Sequence, residues 1–408
     1  MTIWKQKSKT AQTEYPHSLF AVAHTDIGAM PFNNHGRTLR LVVPCNVDAH
    51  AMQVRFANLH SPCALPVGAA SLALCDEHGV LAPDTLVPLT VGGKLSFELA
   101  PGEEILSDRA DFAPKAGSSF ALNLYYPTEN RVHSGNWVGR GGLRSRPGNF
   151  SADLTLPGPG LVSRVARTVI ATDMTVTITT VKDIVAFCQK PAMVVGCLGD
   201  SVTQQGNWTG ALEKLLHHHY PGKISLCNLG ISGNRLLADS PPAQNGLLGI
   251  AGVNRFERDL LPLSGLTHAV LALGANDVGL PGSEGLPVTD IPDTTLYTDT
   301  LRRMADALHS RGVFVICATI TPRWVSGHFT ETAEYIRQGW NEWIREADCF
   351  DAVFDWDKVV RRADGTPGMK DKYHLPDGLH PSPLAGVMMA KSVDLGLFAK
   401  GYGEGGNG

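Results

Sequence analysis

Met193-Val-Val-Gly-Cys-Leu-Gly-Asp-Ser-Val-Thr203 is a short apolar run that ends on Gly-Asp-Ser. An unbroken apolar segment of this length marks a strand buried on both faces of a parallel sheet. Trp208, Leu212, Leu215, Leu216 and His219 follow at helical spacing, so Gly199-Asp-Ser201 lies on a strand-to-helix turn. Downstream, strand-like runs recur at 224–229, 269–273, 313–318 and 352–354. Between them, Leu301, Met304, Ala305 and Leu308 trace one helix, and Ile336, Trp340, Trp343 and Ile344 another. A last helix is expected from about Pro383 to Phe398. Strands alternating with helices predict a doubly wound α/β sheet, whose ligands bind at the carboxyl ends of the strands.

Upstream the period changes. Thr38-Leu-Arg-Leu-Val, Gln53-Val-Arg-Phe, Lys94-Leu-Ser-Phe-Glu-Leu, Phe120-Ala-Leu-Asn-Leu-Tyr and Thr175-Val-Thr-Ile-Thr alternate with a period of two. That pattern predicts half-buried strands with one face on a core and one in water. Glycine- and proline-rich turns such as Val91-Gly-Gly-Lys separate them, which suits an all-β sandwich of jelly-roll type. The chain has 408 residues, more than one hydrophobic core usually organises. The expected division is a β-sandwich domain at 1–190 and an α/β domain at 191–408.

Composition narrows the function. A net charge of −4 with scattered basic residues argues against a nucleic-acid partner, which leaves a clustered basic footprint. No run of about 18 apolar residues occurs, so no membrane span is expected. The segment Met1-Thr-Ile-Trp-Lys-Gln-Lys-Ser-Lys9 is polar and lacks a signal-peptide core. The eight cysteines form no Cys-x-x-Cys pair. Both features point to a cytoplasmic location, or to a secreted chain whose leader has been removed. His217-His-His219 invites a metal, but consecutive helical positions point about 100° apart and their rings cannot converge on one ion. The tail Gly401–Gly408 reads as frayed.

Four blocks carry candidate chemistry, each with a plainer reading beside it. Ser201 sits where a following helix presents free N–H groups and positive partial charge, though Asp200 or Ser201 would also serve merely as a helix cap. In Asn228-Leu-Gly-Ile-Ser-Gly-Asn-Arg235, Gly233 lets a backbone N–H approach a ligand, or is simply a turn. In Leu273-Gly-Ala-Asn-Asp277, the Asn276 amide is an uncharged oxyanion donor, or a loop cap. In Asp377-Gly-Leu-His-Pro381, an aspartate three residues before a histidine can fix its tautomer, or form an ordinary surface pair.

Taken together and in this chain order, Gly-Asp-Ser201, Ser-Gly233-Asn, Gly-x-Asn276-Asp and Asp377-x-x-His380 resemble the four blocks of the SGNH (GDSL-type) hydrolases. The resemblance covers roughly residues 191–400. It implies a flavodoxin-like three-layer αβα domain, with Ser201 as nucleophile, His380 as general base and Asp377 orienting the histidine. It further implies an oxyanion hole formed by the N–H groups of Ser201 and Gly233 and the Asn276 amide. Serine is a poor nucleophile until a neighbouring base takes its proton, which is why the pairing with His380 matters.

Asp200 and Asp277 are expected to brace their loops. Arg235, Arg323 and His374 lie near the expected pocket as possible substrate contacts, with surface or structural roles as the alternative. Asp355 and Asp357 read as loop caps, and His133 and Trp137 as residues that line the site if the first domain leans over it. The expected activity is hydrolysis of a carboxylic ester through an acyl-enzyme, without metal or cofactor. An O-acetylated carbohydrate is the first-choice substrate, as a small molecule or oligosaccharide. A lipid or short-chain acyl esterase is the alternative. A non-catalytic carbohydrate-binding protein on a decayed hydrolase fold is the reading from another class.

Overall fold

The structure, a computed structural model, describes residues 13–29, 35–127, 132–136, 142–156, 161–162, 178–283, 285–324 and 330–400. The polar segment 1–9, Trp137, residues 175–177 of the strand expected at Thr175, and the tail 401–408 lie outside the described residues.

Five parallel strands organise the second half: β1 (Met193–Gly199), β2 (Ile224–Gly230), β3 (Leu266–Ala272), β4 (Phe314–Ala318) and β5 (Ala352–Phe354). Their spatial order is β2-β1-β3-β4-β5. Every residue of β1 and β2 is buried, as strands covered on both faces must be. Helices α1 (Ser201–Gln204) and α2 (Asn207–His219) follow β1, and α3 (Gly252–Arg255) follows β2. Helices α4 (Ala275–Gly279) and α5 (Thr294–His309) follow β3, while α6 (Glu331–Glu346) and α7 (Trp356–Val360) follow β4 and β5. Trp208 and Leu212 of α2 pack with Trp356 and with Met389 of the C-terminal α8 (Pro383–Lys391) on one face of the sheet. Leu301 and Met304 of α5 pack with Trp340 and Ile344 of α6 on the other. The result is a three-layer αβα domain. Its strand order reverses beside β1, which opens a crevice at that strand's carboxyl end.

The long final helix of the sequence reading is divided. Helix α8 stops at Lys391, and α9 (Leu397–Lys400) is separate. Between them the Asp394 side chain accepts the Gly396 N–H at 2.9 Å, a local bond that competes with helix continuation.

The first half is antiparallel. One sheet orders Tyr15–Ala21, Val181–Cys188, Ala49–Ala57 and Glu104–Leu106. A second orders Leu161–Val162, Gly142–Pro147, Arg37–Pro44, Ser119–Tyr126, Ala69–Cys75 and Val87–Pro88. Met52, Val54 and Phe56 from the first sheet meet Leu39, Leu41, Leu122 and Leu124 from the second in one core. The face expected in water is largely covered. Residues 38–43 are all buried because Arg40, at 0 % exposure, reaches under a loop and donates to Asn123 and to the carbonyls of Gly79, Leu154, Phe150 and Asp153. The segment at Lys94 becomes strand only from Phe97, since Val91 and Lys94 close a turn on each other.

The strands Tyr15–Ala21 and Val181–Cys188 give no alternating signal, because both are buried almost throughout. The first of them runs along the parallel sheet: Val22 bridges Asn228 of β2, and the Ser225 hydroxyl donates to the Ser18 carbonyl at 2.7 Å. Ala21 and Ala23 belong to the apolar core of the α/β half. Among the described residues, no helix is long and apolar enough to cross a membrane.

Candidate active site

Ser201 opens α1 directly after β1. Asp200 caps that helix, its carboxylate accepting the Val202 N–H at 2.9 Å. Across a chain separation of 179 residues, His380 Nε2 lies 2.8 Å from the Ser201 hydroxyl. Both residues are 7 % exposed, so the pair is screened from bulk water yet reachable. His380 Nδ1 lies 2.7 Å from Asp377 Oδ2, while Asp377 Oδ1 accepts the N–H groups of Leu379 and His380 at 2.9 and 3.0 Å. Burial pushes the Asp377 carboxyl up, but its hydrogen bonds to His380 outweigh this and hold it down at about 2. It is therefore a carboxylate throughout the neutral range, and fixes the histidine with Nδ1–H toward it and Nε2 toward the serine.

The second and third blocks are bonded to each other and, through Arg255, to the end of β1. Gly233 has φ +71°, a left-handed conformation that favours glycine. Among the described residues, the N–H groups of Ser201 and Gly233 donate to no backbone carbonyl. Asn276 lies in α4, 6 % exposed, and one of its two amide hydrogens donates to the Asn234 carbonyl at 3.1 Å. Asp277 joins the two blocks, accepting the N–H groups of Leu236 and Leu237 at 2.7 and 3.0 Å. Burial pushes the carboxyls of Asp200 and Asp277 up to about 6.

The remaining sequence candidates separate. Arg235 donates to the Asp239 carbonyl at 2.5 Å, a bond within its own loop. His374 bonds through Nδ1 to the Leu375 carbonyl and bridges Pro381, so it shapes the loop that carries His380. Asp355 and Asp357 pair with Arg345, and Asp357 also with Arg337. His133 pairs with Asp26 at 3.3 Å in the first half. Arg323, 7 % exposed, makes no hydrogen bond or ion pair with the described residues.

Sequence reading missed three groups that build this site. Arg255, at 0 % exposure, donates to the carbonyls of Gly199 and Leu229 and to Asn234 Oδ1, each at 2.7 Å. One guanidinium thus ties the ends of β1 and β2 to the Ser-Gly-Asn loop. Asn136, from the first half, donates to the carbonyls of Ala23 and Gly230 at 2.8 Å and accepts from Gln204 of α1 at 2.5 Å. The Thr25 hydroxyl lies 2.7 and 2.8 Å from the carbonyls of Gly246 and Leu247, in the loop that packs on Gly233. None of these partners is close in sequence, so no local spacing announces them.

Residues 197–385 match the model of the GDSL-like Lipase/Acylhydrolase family. No curated protein matches the chain in sequence. Among solved structures, it is similar to a GDSL-like lipase from Bacteroides thetaiotaomicron, with 16% identity over 51% of this chain and 88% of that one and a TM-score of 0.37. It is also similar to an acetyl xylan esterase from Geobacillus stearothermophilus, with 16% identity over 52% and 94% of the two chains and a TM-score of 0.39. A further acetyl xylan esterase aligns at 20% identity over 48% and 96%, with a TM-score of 0.37. The chain thus carries, over residues 197–385, a domain of the GDSL-like lipase and acylhydrolase family.

Proposed function

We propose that the protein is a serine esterase that removes O-acetyl groups from carbohydrate, using Ser201, His380 and Asp377. The observation that carries the reading is the unbroken chain of contacts from Ser201 through His380 to Asp377, at 2.8 and 2.7 Å. In the first step His380 Nε2 takes the hydroxyl proton as Ser201 Oγ bonds to the ester carbonyl carbon. The carbonyl oxygen becomes an oxyanion, which the N–H groups of Ser201 and Gly233 and the free amide hydrogen of Asn276 stabilise. Collapse breaks the bond to the sugar oxygen, which leaves with the proton from His380. Water then repeats the sequence on the acyl-serine and releases acetate. Asp377 stays ionised and stabilises the imidazolium formed in each half.

A sugar ester is favoured over a lipid by the surroundings. Trp324 is 54 % exposed, and its backbone N–H donates at 3.1 Å to the Gly378 carbonyl, inside the turn between Asp377 and His380. An exposed tryptophan next in chain to this contact suits a sugar substrate, since an indole combines apolar faces with a polar edge. A long acyl chain instead needs an apolar groove. Residues 1–190 act in this reading as a domain that braces the hydrolase domain, 191–408, through Asn136 and Thr25.

Hydrolysis of p-nitrophenyl acetate tests the chemistry: Ser201→Ala is expected to lower kcat by roughly 10³-fold or more. Equal rates for the two proteins would end the proposal. Acetate release from acetylated oligosaccharides, compared with cleavage of lysophospholipids, tests the substrate. Preference for the lipid would overturn the carbohydrate reading and leave the triad standing.

A further inference from the structure

Among the described residues, four arginines are at most 7 % exposed, and three of these are fully engaged. Arg40 donates to five acceptors, Arg255 to three and Arg337 to four. Arg323 is the exception: no described residue accepts from it or pairs with it, and its Nη2 is sealed from solvent. A buried cation without a partner is costly, so a site that retains one is shaped for an anion that arrives.

Its position says which anion. The guanidinium lies against Gly279, where a Cβ would overlap it, at the end of the helix α4 that carries Asn276. The next residue, Trp324, is hydrogen-bonded to the turn of Asp377 and His380. Arg323 is therefore bracketed by the two elements that flank Ser201. The charged groups acting on it are Asp200, Arg337 and Glu334, and none of them is in contact with it. Beyond it, Pro322 and Gly368 line a cavity of about 580 Å³ with six basic and three acidic side chains on its walls; Arg337, Arg345, Arg361 and Arg362 are in ion pairs, and Lys358 and Lys370 pair with none of the described carboxylates. A Cβ on Gly368 would stand 3.1 Å from Trp324, so Trp324 links the cavity residue Gly368 to the turn of Asp377 and His380.

We propose that Arg323 binds a carboxylate of the substrate, so that the ester cleaved at Ser201 is carried by an acidic saccharide whose further residues lie toward the cationic cavity. This rests on the esterase reading above. A guanidinium receives a carboxylate through a charge-assisted N–H···O bond, stronger than one to a sugar hydroxyl.

The test compares an O-acetylated oligouronate with the same oligosaccharide after its carboxyl groups have been reduced, reading acetate release. The expected ratio of kcat/KM, acidic over reduced, is about tenfold or more, expressed mainly in KM and shrinking as salt is added. Arg323→Gln brings the ratio toward one, Arg323→Lys restores part of it, and Gly279→Ala, which displaces the guanidinium, lowers it as well. A ratio near one in the native protein, or one that Arg323→Gln leaves unchanged, overturns the proposal. In that event Ser201-dependent hydrolysis of p-nitrophenyl acetate persists. Its absence would instead sink the esterase reading, and this proposal with it.

Discussion

The two walls of the cleft are built in different ways. One wall holds Ser201, Gly233 and Asn276, and its fastenings come from far along the chain: Arg255 on β1, β2 and Asn234, Asp277 on residues 236 and 237, and Asn136 on Gln204. The other wall holds Asp377 and His380 and is fastened mostly to itself. There Leu375 N–H donates to the His380 carbonyl, Gly378 to Leu375, and Ser382 to Tyr373. Donors that must meet a developing charge work best when already aligned, so rigidity belongs on the first wall. In the proposed reaction the second wall needs only to deliver one imidazole.

Four substitutions break or sharpen this contrast. Arg255→Met has the largest expected effect: it frees two carbonyls and Asn234 and removes a cation beside the fully buried Asp259. A cost of about 3–5 kcal/mol in urea denaturation is expected for breaking such a buried group; a cost under about 1 kcal/mol would show that the first wall does not depend on it. Asn136→Ala leaves Gln204 and two carbonyls unpaired and should cost about 1–3 kcal/mol, with a fall in kcat exceeding any rise in KM. A chain that loses stability but keeps full kcat would separate the first half from the chemistry. On the second wall, Gly378→Ala forces a side chain onto φ +67° and against the Trp324 carbonyl. Its stability cost is about 1–2 kcal/mol, and the loss of activity should be the greater part of its effect. An active variant would mean that the turn tolerates displacement.

The contrast also predicts a pH dependence at the seam. Burial holds His24 down from 6.5 to about 3, opposed by its bond to the Val181 carbonyl. Below pH 6.5 the unfolded chain takes up a proton at this residue that the folded chain refuses, so its contribution to stability falls as pH drops from 6.5 toward 3. Asp277, pushed up to about 6, acts in the opposite sense: it favours the folded chain as pH falls through 6 toward 3.8. His24→Gln should therefore lose less Tm than the native protein between about pH 7 and pH 4.5. Parallel Tm curves would remove His24 from the account.

The same contrast explains what could be read in advance. The blocks at Ser201, Gly233, Asn276 and Asp377–His380 are legible because each is local, with strand, turn and reacting residue consecutive in the chain. The parallel strands are legible because burial on both faces leaves unbroken apolar runs. Arg255 and Asn136 are not legible, since their partners stand 21 to 113 residues away and neither sits in a periodic pattern. Arg40 misled the reading for the same reason: in an alternating strand a charged residue signals water, but here loops from residues 79 and 150–154 supply the acceptors.

The strand Tyr15–Ala21, with Val22 bridged beside β2, has a consequence for how such a protein can evolve. Exposed strand edges recruit other chains, and this strand occupies the flank of β2 while adding Ala21 and Ala23 to the hydrolase core. Exchanging the first half for an unrelated module would uncover both that flank and an apolar seam. The two halves are therefore expected to be inherited as a single unit, changing together at their junction rather than shuffling independently.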